Sequence, residues 1–328
     1  MSKTISYLKI GLYNFAVVII LFLLLEFAVR LFLPQIQPSF TSGELIEENK
    51  FGDSHGIKNS SCGESNGVKK CSDENGFWKY TSQKDSTASK VLIIGDSVTM
   101  GIGVESDSTF AGLMNNNLSH ISVLNPSLIA YTGSDYKNVI RQLLSSEEIK
   151  FDRAILAWSL NDLYPRHPIE SAPGIVSDNF FGNSVRLVRK NFRVYHLLKN
   201  LFTDRKREYF EYDKSFYSRE NENFQLALSD IKEISDVLRD RNIPLKVLLM
   251  PYEYQLRMSN DSIYYPQHIL SQELGKLDIP VIDCKDAFLE GANHSADYYL
   301  YGDGIHFSNL GHRELFQYLR SIHNKSAL

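Results

Sequence analysis

The stretch VLIIGDSVTMGIGV, from Val91 to Val104, decides how the rest of the chain is interpreted. Four apolar residues run directly into Gly95, Asp96 and Ser97, and further glycines follow. A short apolar run that ends at turn residues predicts a buried strand. The serine at its mouth has two explanations: it belongs to a tight strand-to-helix turn, or it is a nucleophile at the edge of a sheet.

Further short apolar runs alternate with longer segments of helical periodicity after this stretch. Apolar residues at three-to-four spacing predict amphipathic helices between the strands. This alternation predicts an α/β fold, in which a central parallel sheet is covered by helices on both faces. The site of such a sheet lies beyond the carboxyl ends of its strands, which is where Ser97 is placed. The other predicted strands are ISVLN at 121–125, AILAWS at 154–159, LKVLLM at 245–250 and PVIDC at 280–284.

The composition is that of a globular protein with a substantial core. Of the 328 residues, 43% are hydrophobic and 23% are charged, which are ordinary values. The net charge of −4 gives no reason to expect a nucleic-acid partner. Three cysteines are too few for a disulfide scaffold. Cys62 and Cys71 form either a small disulfide loop or two free surface thiols, while Cys284 is expected to be buried in a strand.

The N-terminal region contains one long apolar run, from Leu12 to Leu33. As a helix it would be roughly 33 Å long, enough to cross a bilayer core of about 30 Å. It is longer than the apolar region of a cleavable signal peptide, and bulky residues and prolines follow it. We therefore predict an uncleaved transmembrane anchor at 12–33. Lys3 and Lys9 precede the run, which predicts a cytoplasmic N-terminus at 1–11 and a periplasmic or extracellular remainder.

Two charged residues, Glu26 and Arg30, lie in the last turns of this run. Their spacing allows them to pair at the outer interface, and that interpretation is favoured over a functional intramembrane charge. Residues 34–89 are rich in Ser, Gly, Asn, Lys and Glu, and are predicted to be a stalk with little regular structure. The aromatic residues of NGFWKY, at 75–80, are expected to pack against the folded domain.

Residues 90–328 are predicted to form the principal domain, with a helical insert at about 164–217. The insert carries a basic segment that includes Arg186, Arg189, Lys190, Arg193 and Lys199. An apolar helical stripe within it would comprise Val185, Val188, Phe192, Tyr195 and Phe202. A lid that packs on the domain with a solvated basic face is favoured over a helix that lies on anionic membrane or binds an acidic polymer.

A serine nucleophile needs a base, and the base must itself be oriented. Asp303 and His306 lie three residues apart in YGDGIHFSNLGH, at 301–312. This spacing lets the carboxylate reach one imidazole nitrogen while the other faces outward. Acyl transfer also needs hydrogen-bond donors for the oxyanion. The backbone N–H of Ser97 and the side-chain amide of Asn161, in AWSLNDL, are candidates.

The order of these motifs resembles that of the SGNH (GDSL) hydrolase family. The resemblance runs from about Lys90 to the end and is carried by GDSVT, SLND and DGIHFSNLGH. It implies a flavodoxin-like three-layer sandwich with Ser97 as nucleophile, His306 as general base and Asp303 as the residue that orients it. Asn161 and the Ser97 N–H would form the oxyanion hole. The family glycine that completes the hole falls on Ala130, in NPSLIAYTG.

The resemblance implies a membrane-anchored serine esterase for O-acyl esters, above all O-acetyl esters, of cell-surface or exported glycans. Two alternatives remain: an O-acetyltransferase to a polysaccharide, with a membrane-embedded acyl-donor partner, and a non-catalytic glycan-binding protein. The α/β-hydrolase family fits less well, because Thr99 stands where the Gly-x-Ser-x-Gly elbow of that family needs its second glycine. Neither a metal nor a cofactor is expected, because the sequence contains no His-Glu-x-x-His motif, clustered Cys/His pattern or complete phosphate-loop spacing.

Overall fold

The computed structural model describes residues 2–37, 43–163, 180–258 and 260–325. They divide into two compact units, of which the first contains residues 2–37 and 180–203 and the second contains the others. The helices are α1 (Ser2–Phe32), α2 (Ser97–Met100), α3 (Phe110–Asn117), α4 (Gly133–Ser145), α5 (Phe180–Asn191), α6 (Arg193–Phe202), α7 (Arg205–Lys214), α8 (Glu222–Arg239), α9 (Glu253–Arg257), α10 (Tyr265–Gly275) and α11 (Asn309–Lys325). The strands are β1 (Ile46–Phe51), β2 (Ser54–Ile57), β3 (Cys62–Ser65), β4 (Val68–Cys71), β5 (Ser89–Gly95), β6 (Ile121–Leu124), β7 (Arg153–Trp158), β8 (Leu245–Leu249) and β9 (Val281–Asp283).

The second unit is built on a five-stranded sheet in the order β6-β5-β7-β8-β9. All neighbouring strands in this sheet are parallel. The last five residues of β5, from Val91 to Gly95, are all buried. A continuous apolar strand of this kind is expected where helices cover both faces of a sheet. The five predicted strands and the α/β sandwich are therefore confirmed.

The connections between the strands place the helices on opposite faces. The chain runs from β5 through α3 to β6 in one direction, and then from β6 to β7, β8 and β9 in the other. Because such crossovers are right-handed, α3 lies on one face and α4, α8 and α10 lie on the other. In agreement with this, α3 packs against α11 and α4 packs against α8. The chain therefore adds strands in one direction from β5 to β6 and in the other direction from β7 onwards. At this switch point, between β5 and β7, a crevice opens beyond the carboxyl ends of the two strands.

The predicted stalk at 34–89 is wrong, because residues 43–80 belong to the second unit and form two antiparallel hairpins. Phe77 and Trp78 are buried, which confirms the expectation for the aromatic residues. The indole N–H of Trp78 donates to the Ser127 carbonyl (2.8 Å). The hairpin strands are four to six residues long and mostly polar, so they are too short to show a clear apolar alternation. The principal domain therefore begins well before residue 90.

The second of these hairpins is closed by a disulfide. Cys62 lies opposite Cys71 in the register of β3 and β4, and the two are bonded. Asn66 and Gly67 form the two-residue turn between the strands, with φ angles of 46° and 80°. Asn-Gly with both φ angles positive is the turn that best matches the twist of a hairpin. Of the two interpretations of these cysteines, the disulfide loop is the one that the structure contains.

The first unit contains α1, whose segment from Lys9 to Phe32 is long and apolar enough to cross a membrane. The carboxylate of Glu26, in this helix, accepts hydrogen bonds from the guanidinium of Arg30 (2.7 Å) and from the backbone N–H groups of Arg193 (3.1 Å) and Val194 (2.9 Å). The predicted pairing of Glu26 with Arg30 is therefore present. Glu26 also caps the first turn of α6.

The predicted insert at 164–217 is not a single element. Residues 164–179 lie outside the described residues, α5 and α6 belong to the first unit, and α7 belongs to the second. The single apolar stripe from Val185 to Phe202 is also wrong, because the helix is interrupted at Phe192. Glu26 provides the physical reason: it binds the N–H groups that a continuous helix would use, and a new helix begins there.

A buried lysine, Lys70, connects the disulfide hairpin to α2, the short helix that begins at Ser97. The Nζ of Lys70 donates to the Met100 carbonyl at the end of α2 (3.0 Å) and lies 5.4 Å from the centre of the Trp78 ring. Burial lowers the pKa of Lys70 to about 7, although the charge of Glu105 opposes the shift. The ammonium form is therefore costly in the folded protein.

The lowered pKa of Lys70 predicts a pH-dependent contribution to stability. The unfolded chain holds this proton up to about pH 10.4, whereas the folded protein releases it near pH 7. The unfolded state thus binds more protons in between, and stability rises with pH. From pH 7 to pH 9, we expect the free energy of unfolding to rise by about 2 kcal/mol more in the wild type than in Lys70→Met. Urea titrations of both full-length proteins in detergent measure this difference, and a difference independent of pH would contradict it.

Candidate active site

The end of β5 places Ser97 at the crevice between β5 and β7. Gly95 ends the strand, and a Cβ there would lie 2.7 Å from the Ala157 carbonyl oxygen of β7. Glycine therefore allows the two strands to approach closely at this point. Asp96 is the N-cap of α2 and Ser97 is its first residue. The strand-to-helix turn that the sequence offers as one explanation is present, and the same turn places Ser97 at the edge of the sheet, as the other explanation requires.

The carboxylate of Asp96 holds this turn together. It is fully buried and accepts hydrogen bonds from the Val98 N–H (2.9 Å) and the Asn161 side-chain amide (3.2 Å), and its Oδ2 lies 3.3 Å from the Ser97 Oγ. Burial raises the pKa of Asp96, and the positive charge of His306 and these hydrogen bonds oppose the shift. Asp96 is not among the predicted site residues, although an Asp before a short helix is the usual signal of an N-cap.

His306 lies between Ser97 and Asp303 as the sequence predicts. Its Nε2 is 2.8 Å from the Ser97 Oγ, and its Nδ1 is 2.9 Å from the Asp303 Oδ1. The same Asp303 oxygen accepts from the N–H groups of Ile305 and His306 (2.9 and 2.8 Å), which fix the carboxylate relative to the ring. With the proton on Nδ1 directed at Asp303, Nε2 is free to accept the serine proton.

The pKa shifts of His306 and Asp303 suit a general base and the carboxylate that supports it. Burial by itself lowers the pKa of His306, but the charge and hydrogen bond of Asp303 outweigh it and raise the pKa above its usual value. Burial by itself raises the pKa of Asp303, but His306 and the backbone N–H groups lower it to about 2. Asp303 therefore stays ionised and stabilises the imidazolium that forms when His306 takes a proton.

A second histidine of the same motif, His312, has a different environment. It is fully buried and packs against the rings of Phe110 and Phe307. Its Nδ1 accepts from the Phe110 N–H (3.3 Å). Burial, with the charges of Lys70 and His306, lowers the pKa of His312 to about 3. It is thus a neutral core residue, and of the two histidines in this motif His306 is the one with the position and basicity of a general base.

Asn161 lies in the short 3-10 helix Leu160–Leu163 that follows β7. Its Nδ2 bonds to Asp96, and its Oδ1 accepts from the Tyr252 hydroxyl (3.2 Å). Both ends of the amide are thus held, and Nδ2 keeps a second N–H. The Ser97 N–H is also available, since Asp96 caps the Val98 N–H and no acceptor for Ser97 occurs among the described residues. The Asn161 Nδ2 and the Ser97 N–H are therefore two candidate donors beside the Ser97 hydroxyl.

Ala130 lies in the loop after β6, with an exposed side chain and a φ of 63°. This is the left-handed conformation, which glycine adopts without strain and alanine only at a cost. None of the hydrogen bonds that join the site residues described above involves Ala130. A nearby residue of the same loop does contact the site strand, since the Ser127 hydroxyl accepts from the Gly95 N–H (3.0 Å). The assignment of an oxyanion donor to Ala130 stays a prediction.

Two residues that support Asn161 are not identified by any motif in the sequence. The Tyr252 hydroxyl, just after β8, lies 2.6 Å from the Asp213 Oδ2 as well as 3.2 Å from Asn161. Tyr252 and Asp213 are both buried. The only available signal is that Tyr252 follows a strand end, next to Pro251. Asp213 lies on α7, where the sequence resembles an ordinary solvated helix.

Helix α7 also contacts the loop that carries the histidine. The Cβ of Lys206 would lie 2.9 Å from a Cβ at Gly304, which has a φ of 82°. The Gly304 carbonyl accepts from the Glu253 N–H at the start of α9 (2.9 Å). Glycine is therefore required at 304 for both its conformation and its close approach to α7. One helix thus supports the loop between Asp303 and His306 and, through Asp213, the amide of Asn161.

No protein-family model and no curated relative matches this chain. Among solved structures it is similar to TesA (13% identity, 72% of this chain and 98% of that chain, TM-score 0.42). It is also similar to a putative G-D-S-L lipolytic protein from Desulfitobacterium hafniense (16%, 71% and 99%, TM-score 0.42). A third is a catalytic mutant of Axe2, an acetylxylan esterase from Geobacillus stearothermophilus (18%, 73% and 96%, TM-score 0.43). The fold assignment rests on the sheet topology and not on these similarities.

The support of Asn161 by Tyr252 can be tested with one hydroxyl deletion. In Tyr252→Phe, Asn161 loses one of the two bonds that orient its amide, so we expect kcat for ester hydrolysis to fall about tenfold with little change in KM. Asn161→Ala, which removes the donor, should cost about 10²–10³-fold in kcat. Tyr264→Phe is the matched control, because its buried hydroxyl bonds to the Gln255 carbonyl instead. Loss of thermal stability in Tyr252→Phe without loss of kcat would show a structural role only.

The Asp303–His306 pair predicts a shift in pH dependence. His306 must be neutral to act as a base, so its raised pKa sets the acidic limb of kcat/KM. Asp303→Asn removes the charge that raises this pKa. We expect the acidic limb to move to lower pH and the maximal rate to fall by up to about 10⁴-fold. An unchanged limb in the pH–rate profile of Asp303→Asn would show that another group sets it.

Proposed function

We propose that this chain is a membrane-anchored serine esterase of the SGNH type, which hydrolyses O-acyl esters through an acyl-Ser97 intermediate. The observation that carries the proposal is the position of His306, 2.8 Å from the Ser97 Oγ and 2.9 Å from the Asp303 carboxylate. This is the arrangement that a hydroxyl needs to become a nucleophile at neutral pH.

In the first half-reaction, the Ser97 Oγ attacks the ester carbonyl carbon while its proton moves to the His306 Nε2. The negative charge that develops on the carbonyl oxygen is met by the Ser97 N–H and the Asn161 Nδ2, which are already oriented. His306 then gives the proton to the leaving alcohol oxygen. The bond between the acyl carbon and that oxygen breaks, and the acyl group remains on Ser97.

In the second half-reaction, water takes the place of the alcohol. His306 removes a proton from the water, whose oxygen attacks the acyl carbon and forms the second tetrahedral intermediate. The intermediate collapses when the Ser97 oxygen leaves and takes the proton from His306. The products are a carboxylic acid and the regenerated serine. Each step uses side chains and backbone groups of this chain alone.

The anchor and the substrate class are supported by different observations. The long, mostly exposed apolar segment of α1 supports a membrane anchor. Lys3 and Lys9, ahead of that segment, support a cytoplasmic N-terminus and a catalytic unit outside the cytoplasm. The resemblance of this layout to anchored SGNH proteins supports O-acetyl esters of cell-surface or exported glycans as substrates.

Transfer of the acyl group to a polysaccharide hydroxyl is the second candidate, because it shares the acyl-Ser97 intermediate. Hydrolysis is favoured by the exposure of the site. Among the described residues, the side chains of His306 and Asp303 are still 16% and 27% exposed, which admits water to the atoms of the second half-reaction. A non-catalytic glycan-binding protein is disfavoured, since such a protein would not need the complete hydrogen-bond chain from Asp303 to Ser97.

Hydrolysis and transfer are separated by one experiment on the full chain in detergent. An activated acetyl ester is supplied with and without a soluble glycan, and free acetate and glycan acetylation are followed together. We expect acetate to form at the same rate in both cases. Acetylated glycan that forms at the expense of acetate would instead favour the transferase.

Ser97→Ala is the matched control for this experiment. It should abolish acetate release beyond background, by several orders of magnitude, and labelling by a serine-directed phosphonate. His306→Ala should lose nearly as much activity, because the two residues act as a unit. Activity retained in either variant would place the active site elsewhere.

A further inference from the structure

In the first unit, α1 is attached to the start of α6 by a hydrogen-bonded contact and an aromatic contact. Glu26 binds the first N–H groups of α6, at Arg193 and Val194, and the rings of Phe22 and Phe192 meet edge to face at 5.2 Å. Glu26 lies six residues before the end of α1 at Phe32. The start of α6 is therefore attached roughly 9 Å from the C-terminal end of the apolar helix.

One face of α6 changes from buried to exposed along its length. Val194, in the first turn, is fully buried. Leu198, Leu201 and Phe202 lie on the same face, at spacings of four, seven and eight residues, and are 42%, 65% and 82% exposed. If α6 ran alongside α1, these side chains would be buried against it. Helix α6 therefore leaves α1 after its first turn, and its exposed apolar face begins next to the contact with α1.

The charge of the same segment is entirely positive. Residues 180–202 contain five Lys and Arg residues and no Asp or Glu. Leu187 of α5 is exposed as well. An amphipathic segment with exposed leucines on one side and basic residues elsewhere matches the interfacial region of a membrane, where apolar side chains enter the acyl boundary and cations meet anionic head groups.

We propose that α5 and α6 form an interfacial helix pair, which lies on the phospholipid bilayer that α1 spans and inserts Leu198, Leu201 and Phe202 into it. The occupant of this face is the lipid, because Glu26 attaches the start of α6 close to the end of the proposed membrane helix, and the exposed residues that follow are apolar while the charged ones are basic. The proposal rests on the membrane anchor of the proposed function and not on its chemistry. It replaces the lid that the sequence favours for this segment.

The test uses the full chain in vesicles of phosphatidylcholine and phosphatidylglycerol. An environment-sensitive fluorophore is attached at Leu201→Cys, and in a matched control at Asn200→Cys, which lies on the opposite side of the same helix. The wild type serves as the labelling blank, because Cys62 and Cys71 are bonded and Cys284 is buried. Lipids that carry a quencher in the acyl chain report contact with the bilayer interior.

We expect the label at 201 to show blue-shifted emission and several-fold stronger quenching than the label at 200. Equal, weak quenching at both positions would overturn the proposal. Extraction of the same vesicles at alkaline pH tests the anchor separately. A chain that is extracted contradicts the anchor itself, whereas a chain that stays in the membrane without quenching at 201 contradicts only the interfacial helix pair.

Discussion

The carboxylate of Asp96 accepts hydrogen bonds from the Val98 N–H and the Asn161 amide. The first bond begins α2 and thereby places Ser97 at a helix N-terminus, and the second joins the end of β5 to the segment after β7. A buried carboxylate without these donors would cost several kcal/mol. The need to satisfy Asp96 therefore holds the proposed nucleophile, Ser97, and the proposed oxyanion donor, Asn161, together at the point where the strand order reverses.

The remaining groups of the candidate site depend on elements far away in the sequence. Asp303 and His306 lie on a loop whose Gly304 packs against Lys206 of α7, and Asp213 of the same helix reaches Asn161 through Tyr252. Hydrogen bonds between buried polar groups are costly to break, because each partner would be left without water. A displacement of α7 would thus disturb the proposed base, His306, and the proposed oxyanion donor, Asn161, at once. This coupling makes α7 part of the support of the candidate site, although its residues fall within the insert predicted at 164–217.

The features that the sequence predicts are those with local causes. Buried parallel strands have continuous apolar runs, and residues at their carboxyl ends converge whatever connects the strands, so the candidates Ser97 and Asn161 could be named from the sequence. The candidates Asp303 and His306 lie in the loop before α11 and could be named from their spacing of three residues. The hairpins at 43–71 could not, because their strands are short and polar, although Asn66-Gly67 is a recognisable turn signal. Tyr252 and Asp213 act through tertiary contacts alone, and neither has a spacing that marks it.

The sequence places Glu26 and Arg30 in an apolar helix and explains them as a local pair, but the structure gives Glu26 a long-range partner. A charge in such a helix is costly unless donors surround it, and here two donors come from α6, more than 160 residues away along the chain. The cost of one acidic residue is thus offset by a contact that determines where a second helix begins. Removal of α1 would expose Val194 and leave two N–H groups of α6 without this partner. The apolar helix is therefore a structural element of the first unit as well as the proposed anchor, and α5 and α6 are best studied with α1 attached.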